Sequence, residues 1–201
     1  MLTLGITGGT GCGKTALLRR IAARGGCAVD CDALYYELLR TDEGLRAALT
    51  DAFGAVFLPN GSLDRKALGA RVFSDPEQLA RLNAIVFRHV FCAVQARRQR
   101  AQENGCALFG IDAINLFQSG LSRLCDATVG VLAPEDVRVR RIMARDGIAG
   151  DYALLRIRAQ EEDAFYQTRC TFLLENGEMS PEEFQIKADT LLDQWIKENA
   201  I

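Results

Sequence analysis

The segment Gly8-Gly9-Thr10-Gly11-Cys12-Gly13-Lys14-Thr15 has the spacing G-x-x-x-x-G-K-[ST]. A short apolar run, Leu2 to Thr7, precedes it, and Leu17, Leu18 and Ile21 follow at helical spacing, so it reads as a loop between a strand and a helix. In that setting the glycines let successive N–H groups turn inward onto phosphate oxygens, and the helix N-terminus adds its positive end. Lys14 is then placed to reach the β- and γ-phosphates of a nucleoside triphosphate and Thr15 to hold Mg2+. Gly9, Gly11, Cys12, Gly13 and Ala16 join them as candidate nucleotide contacts. Helix N-termini lower thiol pKa values, which leaves two readings of Cys12: a reactive thiol whose oxidation or alkylation blocks nucleotide binding, or simply a small residue supplying its N–H.

A phosphoryl transfer also needs a group to accept the proton of the attacking hydroxyl. Asp30 and Asp32 lie two apart after the apolar run Cys27-Ala28-Val29; if the strand continues, both point toward the carboxyl edge of the sheet. Asp32 is the candidate base, while Asp30 either shares that place or caps the next helix. Asp112, ending the run Ala107 to Ile111, is a candidate to stand near Mg2+. Beyond Pro134, the residues Arg138, Arg141 and Arg145 share one helical face. Such a face is often merely solvated, yet beside a phosphate loop it suits a clamp on the transferring group, and Arg141 and Arg145 are the candidates. His89 and the run Arg97-Arg98-Gln99-Arg100 carry no assigned chemistry.

The elements that must position these groups are legible as alternating patterns. Apolar runs at 2–7, 27–29, 107–111, 127–132 and 171–174, separated by helical stretches, predict an α/β parallel sheet. A mostly helical insertion covers about 33–104; its long second helix opens at Ser74-Asp75-Pro76-Glu77 and presents Leu79, Leu82, Ile85, Val86, Val90 and Val94 along one face. Ser180-Pro181-Glu182-Glu183 predicts a capped amphipathic helix at the end.

The chain has 201 residues, 49% of them hydrophobic and 25% charged, enough for one substantial core. A net charge of −2 argues against a dedicated nucleic-acid binder, and only four of the 24 basic residues are lysines (Lys14, Lys66, Lys187, Lys197). Seven scattered cysteines without a C-x-x-C pair suit a reducing compartment, and with His89 as the one histidine a Cys/His zinc site lacks ligands. The N-terminal residues lack the pattern of a signal peptide and no run is long enough for a membrane span, so a cytoplasmic protein without membrane partners is expected.

Several of these segments resemble the dephospho-CoA kinase family. They are Ile6 to Thr15, Val29-Asp30-Cys31-Asp32, Gly61 to Leu68, Val72 to Pro76, Leu82-Asn83, Ala133-Pro134, Arg141 to Gly147, Gln160 and Glu175-Asn176-Gly177, in family order over nearly the whole chain. The resemblance implies a P-loop kinase fold, a parallel sheet flanked by helices. It divides the chain into a core (1–32, 105–134, 170–201), a helical CoA-side insertion (33–104) and a lid (135–165). It implies ATP-dependent phosphorylation of the 3′-hydroxyl of the dephospho-CoA ribose, the last step of coenzyme A synthesis; separately, a monomer is expected, with an oligomer left open. Catalytic roles fall on Lys14, Asp32 and Arg141, ATP contacts on the loop, Arg141, Arg145 and Asn176 (near the adenine), and Mg2+ on Thr15 and Asp112. Three places depart from the family: Phe87-Arg88 stands for His-Pro, Ile114-Asn115-Leu116-Phe117-Gln118 for Pro-Leu-Leu-Phe-Glu, and Cys170-Thr171 for Ala-Asp. The first two fall where the acceptor side should be shaped. A kinase for another small metabolite and a nucleotide-binding regulator without transfer activity are the competing expectations.

Overall fold

In the computed structural model, which describes residues 1–199, the apolar runs form strands β1 (Leu2–Thr7), β2 (Cys27–Asp30), β3 (Leu108–Asp112), β4 (Ala127–Leu132) and β5 (Phe172–Glu175). They make one five-stranded sheet in the order β2-β3-β1-β4-β5, every pair parallel. Burial on both faces explains why β3 and β4 read as unbroken apolar runs rather than alternating ones. Their carboxyl ends, with β1 at the centre, form the edge where ligands bind in open α/β sheets.

Helices α1 (Lys14–Ala23) and α9 (Pro181–Asn199) share a core with β1 and β4, built on Leu17, Ile21, Ala188, Leu192 and Trp195. The expected capping box opens α9: Ser180 N–H donates to Glu183 Oε2 (2.7 Å) and Glu183 N–H to Ser180 Oγ (3.2 Å). Arg20 of α1 and Arg24, its C-cap, donate to Asp189 of α9, each through a guanidinium N–H (2.8 and 2.5 Å).

The insertion folds as α2 (Cys31–Thr41), α3 (Glu43–Phe53), α4 (Arg65–Val72) and α5 (Pro76–Glu103). Asp42, Asp64 and Asp75 each accept backbone N–H groups as N-caps. Its apolar faces are continuous with the edge of the sheet, since Leu34, Leu45, Leu49, Val90 and Val94 pack in one cluster with Val29 and Ile111. Leu79, expected on that face, is instead exposed in the first turn of α5. Leu49 is fully buried, so Leu49→Ala is expected to cost about 2–5 kcal/mol of stability, read from the urea midpoint. Three further helices lie between β4 and β5, α6 (Glu135–Asp146), α7 (Gly150–Arg158) and α8 (Asp163–Arg169), with Ile142, Ala153 and Ile157 as the small core between the first two. Among the described residues no helix is long and apolar enough to cross a membrane.

Candidate active site

The loop between β1 and α1 is held from both sides. Gly13, the N-cap of α1, has φ 99°, and a Cβ there would lie 2.2 Å from Asn176 Nδ2, so only glycine fits. Asn176 Nδ2 donates to Cys12 O (2.7 Å), while Arg141 donates to Asn176 Oδ1 (3.1 Å), Asn176 O (3.0 Å) and Gly177 O (3.1 Å). The Asn176 side chain is therefore spent on the loop and on Arg141. Lys14 folds back over the loop, donating to Gly8 O (2.9 Å) and Gly9 O (3.1 Å). Ala16 N–H is already taken by Gly13 O (3.0 Å), which leaves Ala16 as a wall of the neighbouring cleft rather than a donor.

Of the two readings of Cys12, the structure favours the small buried residue. Burial pushes its thiol pKa up, and the nearby Arg138 and Lys14 charges, which pull it down, do not outweigh this. With 1% of its surface exposed, it is also out of reach of reagents. Under native conditions a disulfide reagent is expected to label Cys92, which is exposed, and to leave Cys12 and Cys31 unmodified, as peptide mapping would show.

The sheet sets the acids side by side. Asp112 at the end of β3 is in register with Asp30 of β2 and Ile6 of β1. The strand does not continue through Asp32, as the two-apart argument required. Helix α2 starts at Cys31, and Asp30 Oδ1 accepts from Asp32 N–H (2.9 Å) and Ala33 N–H (3.0 Å) as its N-cap. The insertion accordingly begins two residues before position 33. Asp30 and Asp32 both line a cleft of about 340 Å³ with Lys14, Thr15, Asp112, Arg145, Arg156 and Gln160, but one Asp30 oxygen is spent on the helix, whereas Asp32, in the first turn, caps nothing among the described residues. The cleft walls raise the Asp32 pKa, and the Asp30 charge adds to this against Lys14 and Arg145. Burial pushes Asp112 up to about 7.

Asp112 and Thr15 thus line one cleft, and the Asp112 carboxylate accepts no protein hydrogen bond among the described residues. A buried carboxylate without a donor suits a cation. Among the described residues no three acid, cysteine or histidine side chains converge as a ready cage. Magnesium does not require one, because it binds through one or two carboxylates together with substrate phosphates and water. The residues present therefore fit that ion.

Arg138, Arg141 and Arg145 of α6 do not share a solvated face. Arg138 is buried against the loop, Arg141 spans the loop and the turn at Asn176–Gly177 while also lining the cleft, and Arg145 lines the same cleft near enough to Asp32 to act on its charge. Arg145 Nε donates to Asp146 Oδ1 (2.7 Å), and Arg156 of α7 donates to Asp146 Oδ2 (2.6 Å). These two guanidiniums hold the Asp146 carboxyl well below the usual range. Arg156 and Gln160 escaped the sequence reasoning as cleft residues; the order Arg156-Ile157-Arg158-Ala159-Gln160 gave no periodic signal, and folding alone brings them to the loop.

Beside this cleft, and sharing Asp32 with it, runs a largely apolar groove of about 220 Å³ lined by Tyr35, Leu82, Phe87, Ile114, Asn115 and Leu121. The cleft at the glycine-rich loop and the adjoining apolar groove thus meet at one carboxylate, Asp32.

A family model described as dephospho-CoA kinase matches residues 2–182. The chain belongs to the dephospho-CoA kinase family. It is 40% identical over 193 residues to a dephospho-CoA kinase of Anaeromyxobacter dehalogenans, covering 96% of this chain and 91% of that one. A dephospho-CoA kinase of Deinococcus radiodurans is 37% identical, with 92% and 89% covered. A solved protein of Thermus thermophilus superposes with a TM-score of 0.80 at 32% identity, covering 96% and 97%.

Within this dephospho-CoA kinase family member the departures from the family pattern acquire places. Phe87, Ile114 and Asn115 line the groove beside Asp32. Gln118 lies farther off and donates Nε2 to Glu161 Oε1 (3.0 Å). Thr171 pairs reciprocally with Thr128, joining the starts of β5 and β4 away from the chemistry.

Proposed function

We propose that this kinase phosphorylates the 3′-hydroxyl of the dephospho-CoA ribose with ATP, the final step of coenzyme A synthesis, and that Asp32 takes the hydroxyl proton. The observation carrying this is that Asp32 belongs to both the phosphate cleft and the apolar groove. A hydroxyl presented from the groove meets a carboxylate whose raised pKa makes it a better proton acceptor, on the side from which a γ-phosphoryl group in the cleft would be attacked. The loop N–H groups and Lys14 hold the β- and γ-phosphates. Arg145 and Arg156, aligned by Asp146, supply positive charge to the group in flight. Arg141 works from the nucleoside end, over the Asn176–Gly177 turn. Thr15 and Asp112 would hold magnesium, which neutralises charge on the β- and γ-oxygens when bound. The hydroxyl oxygen forms a bond to the γ-phosphorus as its bond to the bridging oxygen breaks, and ADP leaves. The same reading takes the enzyme as a cytoplasmic monomer that needs neither nucleic acid nor membrane.

The test is ADP release by the purified protein with ATP and magnesium, comparing dephospho-CoA with adenosine, AMP and no acceptor. Strong stimulation by dephospho-CoA, with CoA identified by mass spectrometry, is expected. Stimulation by another acceptor would mark a kinase repurposed through Phe87 and Asn115, and ATP binding without turnover would mark a regulator.

A further inference from the structure

Thr10, at the crest of the phosphate loop, has both sides of its backbone taken. Its N–H donates to Gln160 Oε1 (2.8 Å) and its carbonyl accepts from Arg138 Nε (3.0 Å). Arg138 Nη2 in turn donates to the same Gln160 oxygen (3.2 Å), closing a ring of three residues from three separate segments. Arg138 is only 6% exposed, and among the described residues no carboxylate forms an ion pair with it. Glu161 and Asp163 are near enough to be felt by Tyr166 together with Arg138, but neither pairs with the guanidinium. The fit is close enough to dictate sequence: a Cβ at Gly9 would lie 2.0 Å from Arg138 Nη2, and one at Gly11 3.0 Å from Arg138 O.

A buried charge normally carries its counter-charge with it, because removal from water is costly. Arg138 is instead compensated by neutral acceptors, Thr10 O and Gln160 Oε1. We infer that Arg138 and Gln160 are positioning residues for nucleotide binding: together they fix the Thr10 peptide, and Gln160, by being neutral, leaves the Arg138 charge behind the loop to be balanced by the nucleotide's phosphates. The inference rests on the cleft being the triphosphate site.

Two substitutions of Gln160 separate this from a merely structural role. Gln160→Glu keeps an acceptor for both Thr10 N–H and Arg138, but supplies the counter-charge locally. Gln160→Met removes the acceptor and leaves the charge. The measurements are the dissociation constant of ADP, the melting temperature without nucleotide, and KM for ATP against kcat. Gln160→Glu is expected to melt no lower than the wild type yet to bind ADP roughly tenfold more weakly, with KM for ATP raised more than kcat falls. Gln160→Met should melt lower and bind ADP better than Gln160→Glu does. A structural role alone predicts the opposite order of ADP affinity, and that order, or unchanged affinity in Gln160→Glu, overturns the inference. Should Gln160→Glu fail to fold, Arg138→Lys against Arg138→Met asks the same question, and a lysine that restores no ADP affinity overturns it. Failure of the wild type to bind ADP would instead overturn the reading of the cleft itself.

Discussion

Asp32→Asn is expected to lower kcat by about 10²–10⁴-fold, the range for loss of a general base, with the affinity for ATP within a few-fold of the wild type. The asymmetry follows from placement. Asp32 faces the groove as well as the cleft, while the loop that would grip the phosphates is fastened by Asn176, Arg141 and Arg138, none of which it touches. Asparagine keeps the size of the side chain and, in the first turn of α2, leaves the Asp30 cap intact. Steady-state kinetics with both substrates varied, together with ATP titration calorimetry, would check it. Loss of ATP binding with kcat preserved would move Asp32 from the acceptor hydroxyl to the metal.

Lys14→Ala is expected to cut kcat by about 10²–10³-fold and to raise KM for ATP, because it removes a charge from where negative charge must be stabilised in the transition state. In the structure Lys14 Nζ is bound to two loop carbonyls, so its ammonium is already held at the cradle by neutral acceptors rather than by a carboxylate. Phosphate oxygens can replace carbonyl oxygens without breaking an ion pair. Near-native turnover in this variant, measured by coupled ADP release, would remove Lys14 from the mechanism.

The strands and the phosphate loop were legible because both are written locally: apolar runs of strand length, and a glycine pattern fixed by a backbone turn. The acids were only half legible. Asp30-Cys31-Asp32 allows either aspartate to cap a helix, and the choice depends on where β2 stops, at Asp30, which its pairing with β3 decides. Arg138 was given no role of its own, for a different reason. Helical spacing assigns a side chain to a face but does not say what covers that face, and the cover here comes from the loop and from Gln160, 128 and 22 positions away. Cys12 shows the same limit, since its place in the loop was legible but the burial that raises its pKa was not.

The pairing of α1 with α9 bears on how the enzyme is born. The helix that begins at Lys14 is braced through Arg20 and Arg24 by Asp189, across separations of 169 and 165 residues. A ribosome delivers the brace long after the helix it supports. The nascent chain can assemble its helical insertion early, from contacts close in sequence, but α1 acquires its outer support only after synthesis has passed Asn199. The loop that opens α1 should therefore gain its outer support in one step, once α9 has emerged, rather than gradually as the chain lengthens.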